Sequence, residues 1–235
     1  MKTNPKSDSP LYIVIGEIAA LWTLANVGYY VVLPLLGFQL SYNSAPIAIA
    51  VYFLIWAIVS ITYFWSIFKR HLPSKHSIWI SGLLSLGLSG LAWILLYLFS
   101  RLPEVQGTLH TPYTDLLFAN SWYFLPKALE ILVQQILITV LIFELYHRFK
   151  SLKEVIIGYA ICFGGAHVLL YAINGAPTTY ALVMIIASLV SSLVFPYFIL
   201  RVRGGLVYTY AFHLLFYILL GILLHTWALP GYALK

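Results

Sequence analysis

Residues 122–148 read WYFLPKALEILVQQILITVLIFELYHR. A helix needs about 20 mostly apolar residues to cross a hydrocarbon core, and this stretch supplies them near 122–146. It also holds Lys127, Glu130, Gln134 and Gln135. On a helix Glu130 and Gln134 stack on one face, with Lys127 one turn before Glu130. Polar groups inside a membrane are costly, so each must find a partner or do work.

Six further stretches are long and apolar enough to span, near 11–36, 46–68, 78–100, 154–173, 179–200 and 205–227. The chain is 62% hydrophobic and 9% charged, where a soluble domain carries about 25% charged residues. The expected fold is an all-α, polytopic membrane bundle of about seven transmembrane helices, filling 1–235 as one unit with no soluble domain. The first span is too long for a signal-peptide core and is expected to be retained. The single Cys162 excludes an internal disulfide.

The net charge of +6 resides in loops, so it calls for no nucleic-acid partner. Ten basic residues fall before span 1 or in alternate loops: Lys2 and Lys6; Lys69, Arg70 and Lys75; Arg148, Lys150 and Lys153; Arg201 and Arg203. The opposite side has two, Arg101 and Lys235, and its loops FQLSYNS and NGAPTTY carry no charge. The expected orientation is N-terminus cytoplasmic and C-terminus outside, in the cell membrane. Trp65, Trp79, Trp122 and Trp227 fall near span ends, where indoles favour the interface.

Four polar groups inside the spans need an explanation: Glu17, the Lys127–Glu130–Gln134–Gln135 cluster, His167 and His213. Glu144, His147 and His225 lie near span ends, within reach of headgroups. Pro126 sits in the first two turns of its span, where a missing N–H is tolerable and a break would open a cavity. The plain reading of Lys127 and Glu130 is an ion pair near the outer interface. Phe163 and His167 are four apart with Gly164 and Gly165 between, so another helix can approach closely and hydrogen-bond the ring. His213 has Thr209 and Tyr210 one turn before it and Tyr217 one turn after, a stripe that packs and satisfies itself or serves a site. At 1.5 Å per residue, Glu130, His167 and His213 lie roughly 25, 20 and 12 Å from the cytoplasmic ends of their helices, compatible with one cavity.

A Glu in an apolar helix, then F-x-x-x-H, then a late His resembles the CAAX prenyl endopeptidase and bacteriocin-processing (CPBP) family. Its members are glutamic-type intramembrane proteases, also labelled "abortive infection" proteins, with motifs E-E-x-x-x-R, F-x-x-x-H and H-x-x-x-N. FGGAH, Phe163 to His167, matches the second motif; His213 matches the third, with Tyr217 in place of Asn. For the first, Glu130 aligns as the first Glu with Ile131 and Gln135 following, or as the second Glu with Gln134 in place of Arg. The former register keeps the Glu that the family uses for chemistry. The resemblance covers about residues 120–220.

The resemblance implies an intramembrane endopeptidase acting on a peptide or membrane-protein substrate. Glu130 and His167 would activate a water, and His213 with Tyr217 would donate to the oxyanion, with Gln134, Gln135 and Phe163 in support. The family's mechanism needs no metal or cofactor, although Glu130, His167 and His213 are also an acceptable set of three zinc ligands. The missing Arg and Asn support an alternative: a non-catalytic member acting as an immunity or membrane-partner protein. The same residues could make a proton path through Glu17, Glu130 and His167, or a bis-histidine haem site. The absence of half-to-half similarity counts against a transporter.

Overall fold

The computed structural model describes residues 10–38, 40–71, 94, 97, 100–101, 116, 119–174 and 178–226. Among these, six helical spans are long and apolar enough to cross a bilayer: Leu11–Leu35, Pro46–Tyr63, Phe124–Phe149, Leu152–Ala172, Tyr180–Arg201 and Gly205–Leu223. The protein is a multi-pass, all-helical membrane protein. The expected span 78–100 lies outside the described residues except for Ile94, Tyr97 and Ser100, and so do Lys2, Lys6, Lys75, Trp79, Trp227 and Lys235.

We number the helices α1 (Leu11–Leu35), α2 (Pro46–Tyr63), α3 (Trp65–His71), α4 (Phe124–Phe149), α5 (Leu152–Tyr159), α6 (Gly165–Asn174), α7 (Thr178–Arg201) and α8 (Gly205–Thr226). Phe64 breaks the spiral between α2 and α3. A π-helical turn, Ala160–Gly164, joins α5 to α6, and a second one, Gly28–Val32, lies inside α1.

The stretch quoted first becomes the centre of the bundle. Of its most apolar window 78% is buried, against at most 33% in any other described span. α4 touches α1, α2, α3, α5, α7 and α8. A 3-10 turn, Ser121–Tyr123, leads into it and is capped by the Asn120 side chain, which accepts from the backbone N–H groups of Trp122 and Tyr123 at 2.9 and 3.1 Å. Pro126 falls within the first turn, so α4 runs unbroken to Phe149. Lys150 ends it in the left-handed region, φ 56°, its N–H returning to the Tyr146 carbonyl. Trp65 and Trp122 are both mostly exposed at helix starts.

Glycines set close approaches to α7. Gly204 takes φ +75° in the turn between α7 and α8, and a Cβ on Gly205 would overlap the Phe198 carbonyl. A Cβ on Gly164 would lie 3.3 Å from Leu189, so this glycine admits α7. Gly165 has nothing within 4 Å of its would-be Cβ, so only the first of the adjacent glycines serves helix contact.

Candidate functional site

The Glu130 carboxylate is closed on both oxygens. Oε2 accepts from the Tyr42 hydroxyl at 2.7 Å and the Lys127 ammonium at 2.8 Å, and Oε1 accepts from the Gln134 amide at 2.8 Å. Glu130 and Lys127 are 7% and 8% exposed, so their ion pair is internal rather than a surface one reaching for water. Three donors on one carboxylate offset much of the cost of taking it out of water. Tyr42 comes from the loop before α2, so this bond also ties that loop to α4.

The neighbouring amide faces elsewhere. Gln135 donates to Thr209 Oγ1 on α8 at 2.7 Å, and its own Oε1 is buried without a partner among the described residues. Gln134, not Gln135, touches Glu130, because adjacent helical residues project about 100° apart. Tyr210 extends the same seam, its hydroxyl donating to the Ala128 carbonyl at 3.2 Å. The hydroxyl stripe of α8 therefore packs on α4.

His167 is oriented by its own helix. Its Nδ1 lies 2.8 Å from the Phe163 carbonyl. A carbonyl only accepts, so Nδ1 carries the proton and Nε2 of the neutral ring is left as an acceptor. The ring does not rely on a hydrogen bond across helices for this orientation. The Phe163 ring lies 4.4 Å from the imidazole and stacks on Tyr159 at 5.1 Å. The π-helical turn just before α6 widens the spiral at this point, and such bulges recur at functional sites.

Phe163, His167, His213 and Tyr217 line one cavity of about 540 Å³, with Ser188 and Ser191 from α7. His213 Nδ1 is buried without a hydrogen-bond partner among the described residues, and the His213 and Tyr217 rings stack at 5.7 Å. Ile186 and Val190 belong to the wall yet are 58% and 54% exposed, so the cavity borders the lipid-facing surface of α7.

Glu130 is not among the residues lining this cavity. Tyr217 stands between the two centres: its ring forms part of the wall and also carries the Lys127 ammonium 4.1 Å from its centroid. The structure thus brings Phe163, His167, His213 and Tyr217 together, places Glu130 and Gln134 in an adjoining cluster, and turns Gln135 toward Thr209. Among the described residues no three His, Cys, Asp or Glu side chains gather to hold a metal.

Some of the other polar groups found partners that local spacing does not reveal. Tyr42 lies in an uncharged loop with no periodicity to mark it. Glu144 is 1% exposed, not reaching for headgroups, and pairs with Arg70 at 3.0 Å. Glu17 of α1 interacts electrostatically with Tyr63 of α2. Compared with family models, curated proteins and solved structures, the chain matches none. Fold and site define a multi-pass membrane protein with a cavity between helices, walled by two imidazoles and a phenol.

The α4–α8 seam gives a stability prediction. Thr209→Val leaves the Gln135 amide buried without its acceptor and should cost about 1–3 kcal/mol. Adding Gln135→Leu removes the orphaned amide and should recover most of the loss. Thermal unfolding of the detergent-solubilised variants checks the ordering.

Proposed function

We propose that the protein is an intramembrane peptidase working through a water activated by Glu130 and His167, with His213 and Tyr217 as donors to the developing oxyanion. The observation that carries this reading is the His167 ring: a fixed tautomer leaves Nε2 as an acceptor on a wall shared with His213 and Tyr217. A water held there has a base beside it, and an N–H or O–H donor can reach the oxygen that becomes negative. Peptide hydrolysis needs both, screened from lipid.

Glu130 enters this mechanism through Lys127. In the resting arrangement its oxygens are taken by three donors. Lys127 already rests over the Tyr217 ring, so substrate arriving at the cavity wall can draw the ammonium away and open one acceptor position on Oε2, which Tyr42 still shares, for the water. Any substrate is a peptide segment or membrane protein that reaches the cavity from the bilayer side.

A second reading is a non-catalytic relative of such proteases that binds a membrane partner. The Lys127–Glu130 pair favours it, because a saturated carboxylate outside the cavity is a good strut and a poor base. The two readings separate on new protein N-termini in membranes of expressing cells. A peptidase generates termini that disappear with Glu130→Gln, His167→Ala and His213→Ala, each compared as monodisperse, folded protein. Identical terminal profiles for the wild type and all three variants would contradict it.

We also propose that the end carrying Lys69, Arg70, Arg148, Lys150, Arg201 and Arg203 faces the cytoplasm, following the positive-inside rule. In a Cys162→Ser background, a membrane-impermeant maleimide applied to intact cells should label Ser41→Cys and leave Lys150→Cys unlabelled. The opposite pattern overturns the orientation.

A further inference from the structure

One end of the cavity carries polar groups that the fold leaves unused. The wall follows one face of α7 from Val183 to Phe195, a rise of about 18 Å at 1.5 Å per residue. At the Phe195 end lies His213, its ring 6.0 Å from the Phe195 ring, with Ser191 one turn along α7. His213 Nδ1 is buried there with no hydrogen-bond partner among the described residues. Ser191 gives its proton to the Ser188 carbonyl at 2.8 Å, which leaves its oxygen as an acceptor. Tyr159 is wholly buried behind Phe163; its hydroxyl interacts electrostatically with Ser191 and also has no hydrogen-bond partner among the described residues. Buried polar atoms are ordinarily paired. For His213 and Ser191, which line the cavity, the partner has to come from its contents.

The remaining wall decides what those contents are. Val183, Met184, Val194, Phe195, Phe212 and Phe216 make it apolar, and no carboxylate, ammonium or guanidinium belongs to it. Lys127, over the Tyr217 ring, is already paired with Glu130 at 2.8 Å. An anion inside would therefore lack a counter-charge, and burying it would be costly. A hydroxyl is the complementary group. Nδ1 of a neutral imidazole donates in one tautomer and accepts in the other, and a hydroxyl answers either. In the first case its own proton is free for Ser191. Ile186 and Val190, 58% and 54% exposed, lie midway along the wall and open it to the bilayer.

We propose that the cavity binds an uncharged single-chain lipid through its hydroxyl group. His213 and Ser191 hold the hydroxyl, and the chain lies along α7 against the apolar wall. The volume of about 540 Å³ falls among those of small-molecule sites, about 300–1,000 Å³. This ligand is additional to the peptide substrate proposed above and does not depend on that reading, because its binding is measured without turnover.

The test irradiates full-length protein in phosphatidylcholine vesicles with a diazirine-bearing fatty alcohol and maps the labelled residues by mass spectrometry. Label should reach Met184 and Ser188, which line the cavity and are only 5% and 3% exposed. Myristyl alcohol should suppress that labelling at about tenfold lower concentration than tetradecane or myristic acid, the worth of about one hydrogen bond. His213→Leu leaves no polar atom stranded, so label should still reach both residues while the preference for the alcohol over tetradecane disappears. Ser191→Ala should shrink the same preference. Label confined to lipid-facing α7 residues such as Leu189 and Leu193 would overturn the proposal. So would competition by tetradecane equal to that of the alcohol, which means that the chain alone is recognised. Equal or stronger competition by myristic acid would overturn it too, as would a preference for the alcohol that survives either substitution unchanged.

Discussion

The Lys127–Glu130 pair is the constraint on which the rest of the structure depends. A carboxylate inside a helical bundle cannot be left to itself, and here it gathers an ammonium, a phenol and an amide. Those donors come from two turns of α4 and from the loop before α2. Satisfying one charge therefore fixes where that loop sits and which face of α4 turns inward. It also puts the Lys127 ammonium against Tyr217, which fixes one wall of the cavity.

Helices already in a membrane gain little from burying apolar side chains against one another, since lipid is equally apolar. Association has to come from packing and from polar seams. α4 carries three such seams: Glu130 to Tyr42, Gln135 to Thr209 of α8, and Glu144 to Arg70 of α3. They are spaced along the helix near one end, the middle and the other end. This distribution explains how the most deeply buried of the described spans tolerates the polar side chains Lys127, Glu130, Gln134, Gln135 and Glu144. The cavity lies beside this spine, where the π-helical turn and the Gly164 contact bring the α5–α6 span against α7.

Much of the fold was legible because a membrane span is a local property of length and composition. Five of the six described spans match the expected ones to within about four residues, while the span expected at 46–68 divides at Phe64. His167 and His213 were legible as outliers in apolar helices, and both line one cavity. Pairings between distant segments were not. Nothing in FQLSYNS marks Tyr42 as a partner of Glu130, and nothing local decides whether Gln134 or Gln135 turns to that carboxylate. Glu144 looked like a headgroup-facing residue because it is near a helix end; Arg70, 74 positions away, draws it inside. Helix periodicity assigns a face, but only the packed bundle assigns what that face meets.

The most direct test of this account is a double-mutant cycle on Lys127 and Glu130, read as thermal unfolding in a neutral detergent. If the pair holds the bundle together as a buried ion pair, Lys127→Met or Glu130→Gln alone strands a charge or a donor and costs on the order of 3 kcal/mol. The double variant strands neither and unfolds above both singles. A double variant destabilised by the sum of the two single losses would show that the residues act independently, and the organising role given to their contact would be wrong.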